Sequence, residues 1–380
     1  MSLDAAFLDR VRARVGVGDP LDVAVEAAAR SSGLVLGSSA LLATSRSVRN
    51  ELFGAGPLQT LLDDPDVTDV LVNGPSDVWV ERAGRLMPAA VDLGSEADVR
   101  TLAVRLAAAG GQRLDDASPT VDACLPDGTR LHAVLPPVAG AGVLLSLRVV
   151  RTRAFTLDEL VASGMLARAL VPVVRALVAA RANLLVSGAT GSGKTTLLAA
   201  LLSVVPHDER IVVIEEASEL RPDHPHVVRL VARRPNVDGA GSVGLSELVR
   251  QALRMRPDRI VLGECRGAEV REVLTALNTG HDGGCATVHA NTAADVPARL
   301  EALAALAGMS RDAVAAQASS ALDAVLHLRR SAGLRYVAEV GVVRRSGTGA
   351  LEVVDALRAD AGGACVRGPG WPVLAERLRL

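Results

Sequence analysis

The chain has 380 residues, enough for two or three domains of ordinary size. Hydrophobic residues make up 49% of it but aromatics only 2%, so its cores must be packed from Ala, Val and Leu. A formal net charge of −2 gives no general electrostatic case for nucleic acid, and four cysteines (Cys124, Cys265, Cys285, Cys365) without C-x-x-C spacing argue against disulfides and a structural zinc site.

Residues 1–53 read as an N-terminal helical extension, rich in Ala and Arg, with breaks at 16–20 and 31–37. Asp4, Asp9, Arg10 and Arg12 stand where a secretory signal would have a basic start and an apolar run, so no signal peptide is expected. The apolar stretches at 133–147 and 165–186 are broken by prolines, glycines or arginines and supply no spanning helix. A cytoplasmic protein is expected, with docking on a membrane partner left open.

Gly54-Ala55-Gly56-Pro57 punctuates the chain, and residues 54–150 read as a small α+β domain. A hairpin is predicted from 67–72 and 77–82 around Asn73-Gly74-Pro75, then a helix over 98–109, then strands near 121–125, 130–135 and 143–150. Two arginines stand out here, Arg130 after an Asp-Gly turn and Arg148 on a late strand. Either is a contact for a terminal phosphate across a cleft, or a solvated strand arginine. Residues 151–165 read as a linker whose Phe155 either caps a base or anchors the segment.

From 166 to 345 helix and strand alternate, which predicts an α/β domain with a mostly parallel sheet covered by helices on both faces. Ligands then bind at the strand carboxyl ends. Strands are read at 183–187, 210–214, 259–263 and 286–289, with closing strands at 325–328 and 334–343. Residues 346–380 read as a Gly- and Arg-rich tail with no motif.

The first of those strands runs into Gly188-Ala189-Thr190-Gly191-Ser192-Gly193-Lys194-Thr195-Thr196, the G-x-x-x-x-G-K-T spacing of a phosphate-binding loop. Lys194 is the only lysine in the sequence. An ammonium is a compact point charge that fits among phosphate oxygens, whereas guanidinium is a planar fork. The glycines let backbone N–H groups converge on anionic oxygens at a helix N-terminus. Lys194 is placed to reach the β/γ-phosphates of ATP, and the Thr195 hydroxyl to ligate Mg²⁺.

Hydrolysis needs more than that loop: a metal partner and a group that orients water. Three segments offer them. In 211–219, a β-branched strand ends in Glu215 and Glu216, either of which is placed to hold Mg²⁺ through water or to act on the attacking water. In 259–266 another apolar strand ends in Gly263-Glu264, and Glu264 is the expected main catalytic carboxylate and Mg²⁺-side acid. In 279–289 a Gly-rich loop carries His281 and leads to His289, both candidates to sense a γ-phosphate.

In order, these segments resemble the type II/IV secretion ATPase superfamily, specifically the tight adherence (Tad/CpaF-like) pilus assembly ATPases. Residues 188–196 correspond to Walker A, 214–220 to the Asp box, 253–267 (LRMRPDRIVLGECRG) to Walker B and 278–291 (NTGHDGGCATVHAN) to the His box. Residues 67–74 and 125–137 look like the family's N-terminal domain. The resemblance implies a PAS-like N-terminal domain followed by a RecA-like ATPase domain, a homohexameric ring and ATP held between the two domains. It implies Glu264 as the Walker B acid, His289 at the γ-phosphate, Glu215 and Glu216 as Asp-box acids, and Arg130 and Arg148 as phosphate contacts. Glu216 departs from the usual Asp, and the tetracysteine module of some type II relatives is absent.

The expectation that follows is a hexameric ATPase motor that powers a Tad-type pilus through inner-membrane platform proteins, at the inner face of the cytoplasmic membrane. Two alternatives stand beside it: the ATPase of a conjugation-like DNA or protein export apparatus, and a nucleotide-binding regulator without turnover. Nothing in the sequence points to direct nucleic-acid binding.

Overall fold

A computed structural model describes residues 5–34, 36–82, 84–140, 142–149, 153–233, 240–331 and 333–380. The chain divides into two compact units, residues 1–150 and 151–380. Among the described residues the strands form two sheets, one of six strands and one of nine.

The first unit opens with three helices, α1 (Ala5–Gly16), α2 (Leu21–Ser31) and α3 (Ser38–Phe53). They share a small core of Phe7, Val11, Ala24, Val25, Ala28, Ala29 and Val48. A short α4 (Gln59–Leu62) leads to β1 (Val67–Gly74), β2 (Asp77–Arg82) and β3 (Arg85–Ala89). Then follow α5 (Glu96–Ala109), β4 (Thr120–Cys124), β5 (Arg130–Val134) and β6 (Leu144–Arg148). Helix α5 starts at Ser95, whose hydroxyl accepts from the Asp98 amide while the Asp98 carboxylate accepts from the Ser95 amide.

The strands run antiparallel in the order β3-β2-β1-β6-β5-β4. One face is apolar: Val70, Val72, Val78, Val80, Leu131, Ala133, Leu145 and Leu147 share a core with Val99, Leu102 and Leu106 of α5. Alternate residues on these strands lie on the opposite face, as expected of a sheet covered on one side.

The second unit starts with α6 (Leu157–Ala162), α7 (Val171–Ala179), β7 (Leu184–Gly188), α8 (Lys194–Leu202), β8 (Ile211–Glu215) and β9 (Val227–Val231). It continues with α9 (Leu245–Ala252), β10 (Arg259–Cys265), α10 (Val270–Leu277), β11 (Cys285–Val288), α11 (Val296–Leu306) and α12 (Arg311–Ala321). It closes with β12 (Ala324–Ser331), β13 (Leu334–Arg345), β14 (Leu351–Ala359), β15 (Cys365–Arg367) and α13 (Trp371–Leu378).

Strands β12-β7-β11-β10-β8-β9 lie side by side and parallel. Residues alternate between two cores. Leu184, Val186, Ile211, Val213 and Val261 join α6, α7, α8 and α13 on one face. Leu185, Val212, Ile214, Ile260 and Leu262 join α9 to α12 on the other. Each fully buried Leu, Val or Ile contributes about 1.5–3 kcal/mol, which lets aliphatic side chains alone carry cores nearly free of aromatics.

Two segments differ from their sequence reading. The stretch expected as a tail adds β14 antiparallel to β13 and β15 antiparallel to β14, and returns through α13, whose Leu374 and Leu378 are buried. The stretch expected as a linker contains α6, with Leu157, Leu160 and Met165 in the core. In both, short apolar groups are scattered among Gly, Arg and Asp, so local periodicity is weak and long-range pairing decides.

Candidate functional site

Every residue of β7 is buried, because helices cover both faces of the sheet around it. The strand ends at Gly188 with φ +151, where a Cβ would stand 2.7 Å from the Leu328 carbonyl oxygen. Gly193 closes the loop with φ +94, and a Cβ there would meet Met165 Cε at 2.2 Å. Conformation calls for glycine at both positions, and at Gly188 the backbone of β12 leaves no space for a side chain. Helix α8 then begins at Lys194, so its free N–H groups and positive end face the loop.

Lys194 is buried. Its Nζ donates to the carbonyls of Gly188 (3.1 Å) and Ala189 (2.9 Å) and stands 3.3 Å from Nδ1 of His289. An ammonium has three donors, and here it has three acceptors. Burial pushes its pKa below the ordinary lysine value, against the pull of the Glu264 carboxylate.

Strands β10 and β11 are parallel neighbours, which brings Glu264 together with His289, one residue beyond β11. His289 Nε2 lies 2.8 Å from Glu264 Oε1. Burial, and then the Lys194 charge, hold the His289 pKa below its usual value, with Glu264 pulling the other way. With Nδ1 facing the Lys194 donor, the neutral ring carries its proton on Nε2 and donates it to Glu264. A chain Lys194–His289–Glu264 thus joins the phosphate loop to the tips of two adjacent strands.

The two Asp-box glutamates part company. Glu215, the last residue of β8, is 4% exposed, and its Oε1 accepts from the amides of Glu219 (2.9 Å) and Leu220 (2.8 Å). Its Oε2 is buried with no partner among the described residues, and burial raises its pKa. A Cβ at Gly263 would come within 2.8 Å of the Glu215 side chain, so the glycine before Glu264 makes room for it. Glu216 instead pairs with Arg266, both about half exposed. Successive residues at the strand end take opposite sides, and only Glu215 is held inward.

His281 requires a correction. It precedes β11 in the turn that follows α10, and its Nδ1 lies 3.3 Å from the Ala276 carbonyl. The neighbouring Asp282 carbonyl accepts from Arg181, which precedes β7. These belong to the amino edge of the sheet, with the length of β11 between them and the phosphate loop. The pairing of His281 with His289 in one sequence motif does not survive in space.

Arg130 and Arg148 stand directly opposite each other on β5 and β6 of the first unit, and Arg148 Nε donates to Asp69 Oδ1 at 3.0 Å. Phe155 packs against the core of the second unit. Cys265 and Cys285 are buried thiols with raised pKa values, Cys285 to about 11, and behave as small apolar side chains.

No group of three His, Cys, Asp or Glu among the described residues holds a metal by itself. The Thr195 side chain, half-buried in the first turn of α8, makes no hydrogen bond among the described residues. This donor set fits Mg²⁺, which takes few protein ligands and completes its shell with phosphate oxygens and water. The sequence reading missed His327, fully buried on β12, whose Nδ1 lies 2.9 Å from Ser187 Oγ. It carries no local signal; only the parallel register of β12 on β7 brings the two together.

A parallel sheet with a G-x-x-x-x-G-K-T loop at the carboxyl end of a central strand and acids at the neighbouring strand ends defines a P-loop protein. Within that class, the model of the family described as type II/IV secretion system protein matches residues 51–347. The chain belongs to that family. It is 51% identical over 335 residues, 86% of this chain and 95% of the relative, to "Putative conjugal transfer protein Rv3659c" of Mycobacterium tuberculosis strain H37Rv. It is 32% identical to "Conjugal transfer protein TrbB" of Rhizobium radiobacter, over 73% of this chain and 84% of the relative. The crystal structure of the pilus retraction motor PilT with bound ADP has the same fold, with TM-score 0.53 and 18% identity over 84% of this chain and 85% of that one. The family agrees with the sequence reading at the level of the type II/IV secretion superfamily and not of the Tad/CpaF-like subtype; the two relatives are described as conjugal transfer proteins, where that reading put a pilus first.

Proposed function

We propose that this chain is the ATPase of a conjugation-like export apparatus, a ring-shaped motor at the cytoplasmic face of the membrane. The observation that carries the ATPase part is the chain Lys194–His289–Glu264 at the carboxyl edge of the sheet. The conjugal-transfer relatives support the choice of apparatus.

In this reading the phosphates of ATP enter the loop 188–196, and their oxygens replace the carbonyls and imidazole that now hold Lys194. Mg²⁺, when bound, neutralises charge on the β- and γ-phosphates, with Thr195 and a water at Glu264 as its protein-side ligands. Released from Lys194, His289 faces the γ-phosphate, while Glu264 orients the attacking water and takes its proton. Glu215 holds the Asp-box loop in place through its two amide bonds. Arg130 and Arg148 reach phosphate within or between subunits, the latter requiring head-to-tail packing that closes into a homohexamer. The membrane-side partners are inner-membrane components of the same apparatus. No described helix is long and apolar enough to cross a membrane.

Phosphate release by the purified protein tests the enzyme, and Lys194→Ala should lower it by a factor on the order of 10² or more. Unchanged turnover in that variant would reject the site. Disrupting the gene tests the apparatus: loss of conjugal transfer with surface filaments intact supports the proposal. Loss of filaments alone would favour the second reading, a pilus motor, which rests on the likeness of the four ordered motifs to pilus assembly ATPases. Near-neutral charge tells against direct DNA handling.

A further inference from the structure

His327 is a fully buried imidazole on β12, in parallel register with Ser187 of β7. Ser187 is itself fully buried and immediately precedes Gly188, whose carbonyl accepts from Lys194. The next residue on β12, Leu328, presents its carbonyl to Gly188. Residue 327 therefore lies directly beneath the phosphate loop.

One ring nitrogen is used and the other is idle. Nδ1 meets Ser187 Oγ at 2.9 Å, whereas Nε2 is buried with no well-formed hydrogen bond among the described residues. The ring is surrounded by Arg329, Asp295, Lys194 and the backbone of Asn291, which lies near enough to favour the protonated ring. Asn291 is two residues beyond His289. Buried polar atoms are nearly always paired, and one that is not calls for an explanation.

We propose that His327 is a positioning residue: it ties the end of β7 at Ser187 to the segment carrying His289. Its second nitrogen takes the nearby Asn291 backbone as partner. The inference rests on the ATPase reading and deepens it. Phosphate at Lys194 pulls that amine away from Gly188, Ala189 and His289. His289 then needs a second hold to stay at the γ-phosphate, and the bridge Ser187–His327–Asn291 supplies it. His327 touches no substrate; it acts through the placement of His289.

The test uses the full chain with His327→Leu, His327→Gln and Ser187→Ala, reading kcat, KM and the affinity for a fluorescent nonhydrolysable ATP analogue. The Leu and Ala variants should lose about 10-fold to 100-fold in kcat while analogue affinity changes by less than about threefold, since sub-ångström misplacement costs turnover before binding. Gln, which keeps a donor and an acceptor, should recover part of that loss. Combining Ser187→Ala with His327→Leu should be no worse than either alone. Should His327→Leu fail to fold, the Gln and Ala variants decide. A kcat unchanged in the variants, or binding and turnover falling together, overturns the inference. So does a crystal structure with the analogue bound in which Nε2 still has no partner. Absence of turnover in the unmodified protein would instead overturn the ATPase reading, leaving the analogue-bound structure to judge the bridge.

Discussion

Lys194 is satisfied by acceptors of the protein itself, and that shapes the chemistry proposed for it. In that reading phosphate oxygens take the place of these acceptors, so binding exchanges hydrogen bonds and does not create a buried charge. The same exchange frees His289 and leaves Glu264 to water. Glu264→Gln should therefore lower kcat by about 10²–10⁴-fold with ATP binding retained, since it removes a proton acceptor without removing a phosphate contact. Single-turnover kinetics beside equilibrium binding checks this; a matched loss of affinity would place Glu264 in binding. A second prediction concerns pH. His327 is lowered from 6.5 to about 4 by burial first, so the unfolded chain binds its proton at a higher pH than the folded protein does. Stability should fall as pH drops from 6.5 toward 4, and His327→Leu should flatten that slope in thermal melts. Glu215 and Asp323, whose pKa values are raised, act in the opposite sense, which is why the comparison with the variant is needed. At this scale the phosphate loop was legible because its residues are contiguous. Glu264 and His289 were legible as strand-end residues. The inward turn of Glu215, the outward turn of Glu216 and the removal of His281 to the far edge were not, because each depends on strand direction in three dimensions.

Single elements show what the sheet demands of its connections. Gly193→Ala should cost about 1–3 kcal/mol through left-handed backbone strain, and it should weaken nucleotide binding. Met165 is a flexible side chain and can move aside, so strain and not the clash sets the effect. Thermal shift with and without ATP reads both. Helix α13 is tied to the base of the phosphate-loop strand: Arg377 pairs with Asp323, and Asp323 accepts from the Asn183 amide at 2.7 Å. Arg377→Ala leaves that buried carboxylate with one ally fewer. It should cost about 1–2 kcal/mol, less than a fully buried pair because the guanidinium is half exposed. Removing residues 346–380 should do far more, since it uncovers β13 and the α13 side of the core. Alternating helix and strand were readable from 166 to 345. The segments on either side were not, because their apolar residues find partners only once β12, β13 and α7 are in place.

At the scale of the whole molecule, the chain is two units with separate cores, and the proposed ATP chemistry falls on residues of the second while Arg130 and Arg148 belong to the first. The pair sits in cross-strand register on β5 and β6, and Arg148 pairs with Asp69 of β1. Alanine at either position should lower ATPase activity by on the order of 10-fold or more, as expected for an arginine that stabilises phosphoryl transfer. Mass photometry should show six copies per particle, and an active monomer would remove the ring from the proposal. A chain with a single lysine has a single side-chain amine, and here it is partly desolvated, with its proton affinity lowered. Isotope-labelled lysine spectra would report on one side-chain nitrogen, so occupancy of the proposed phosphate site can be followed with no engineered probe.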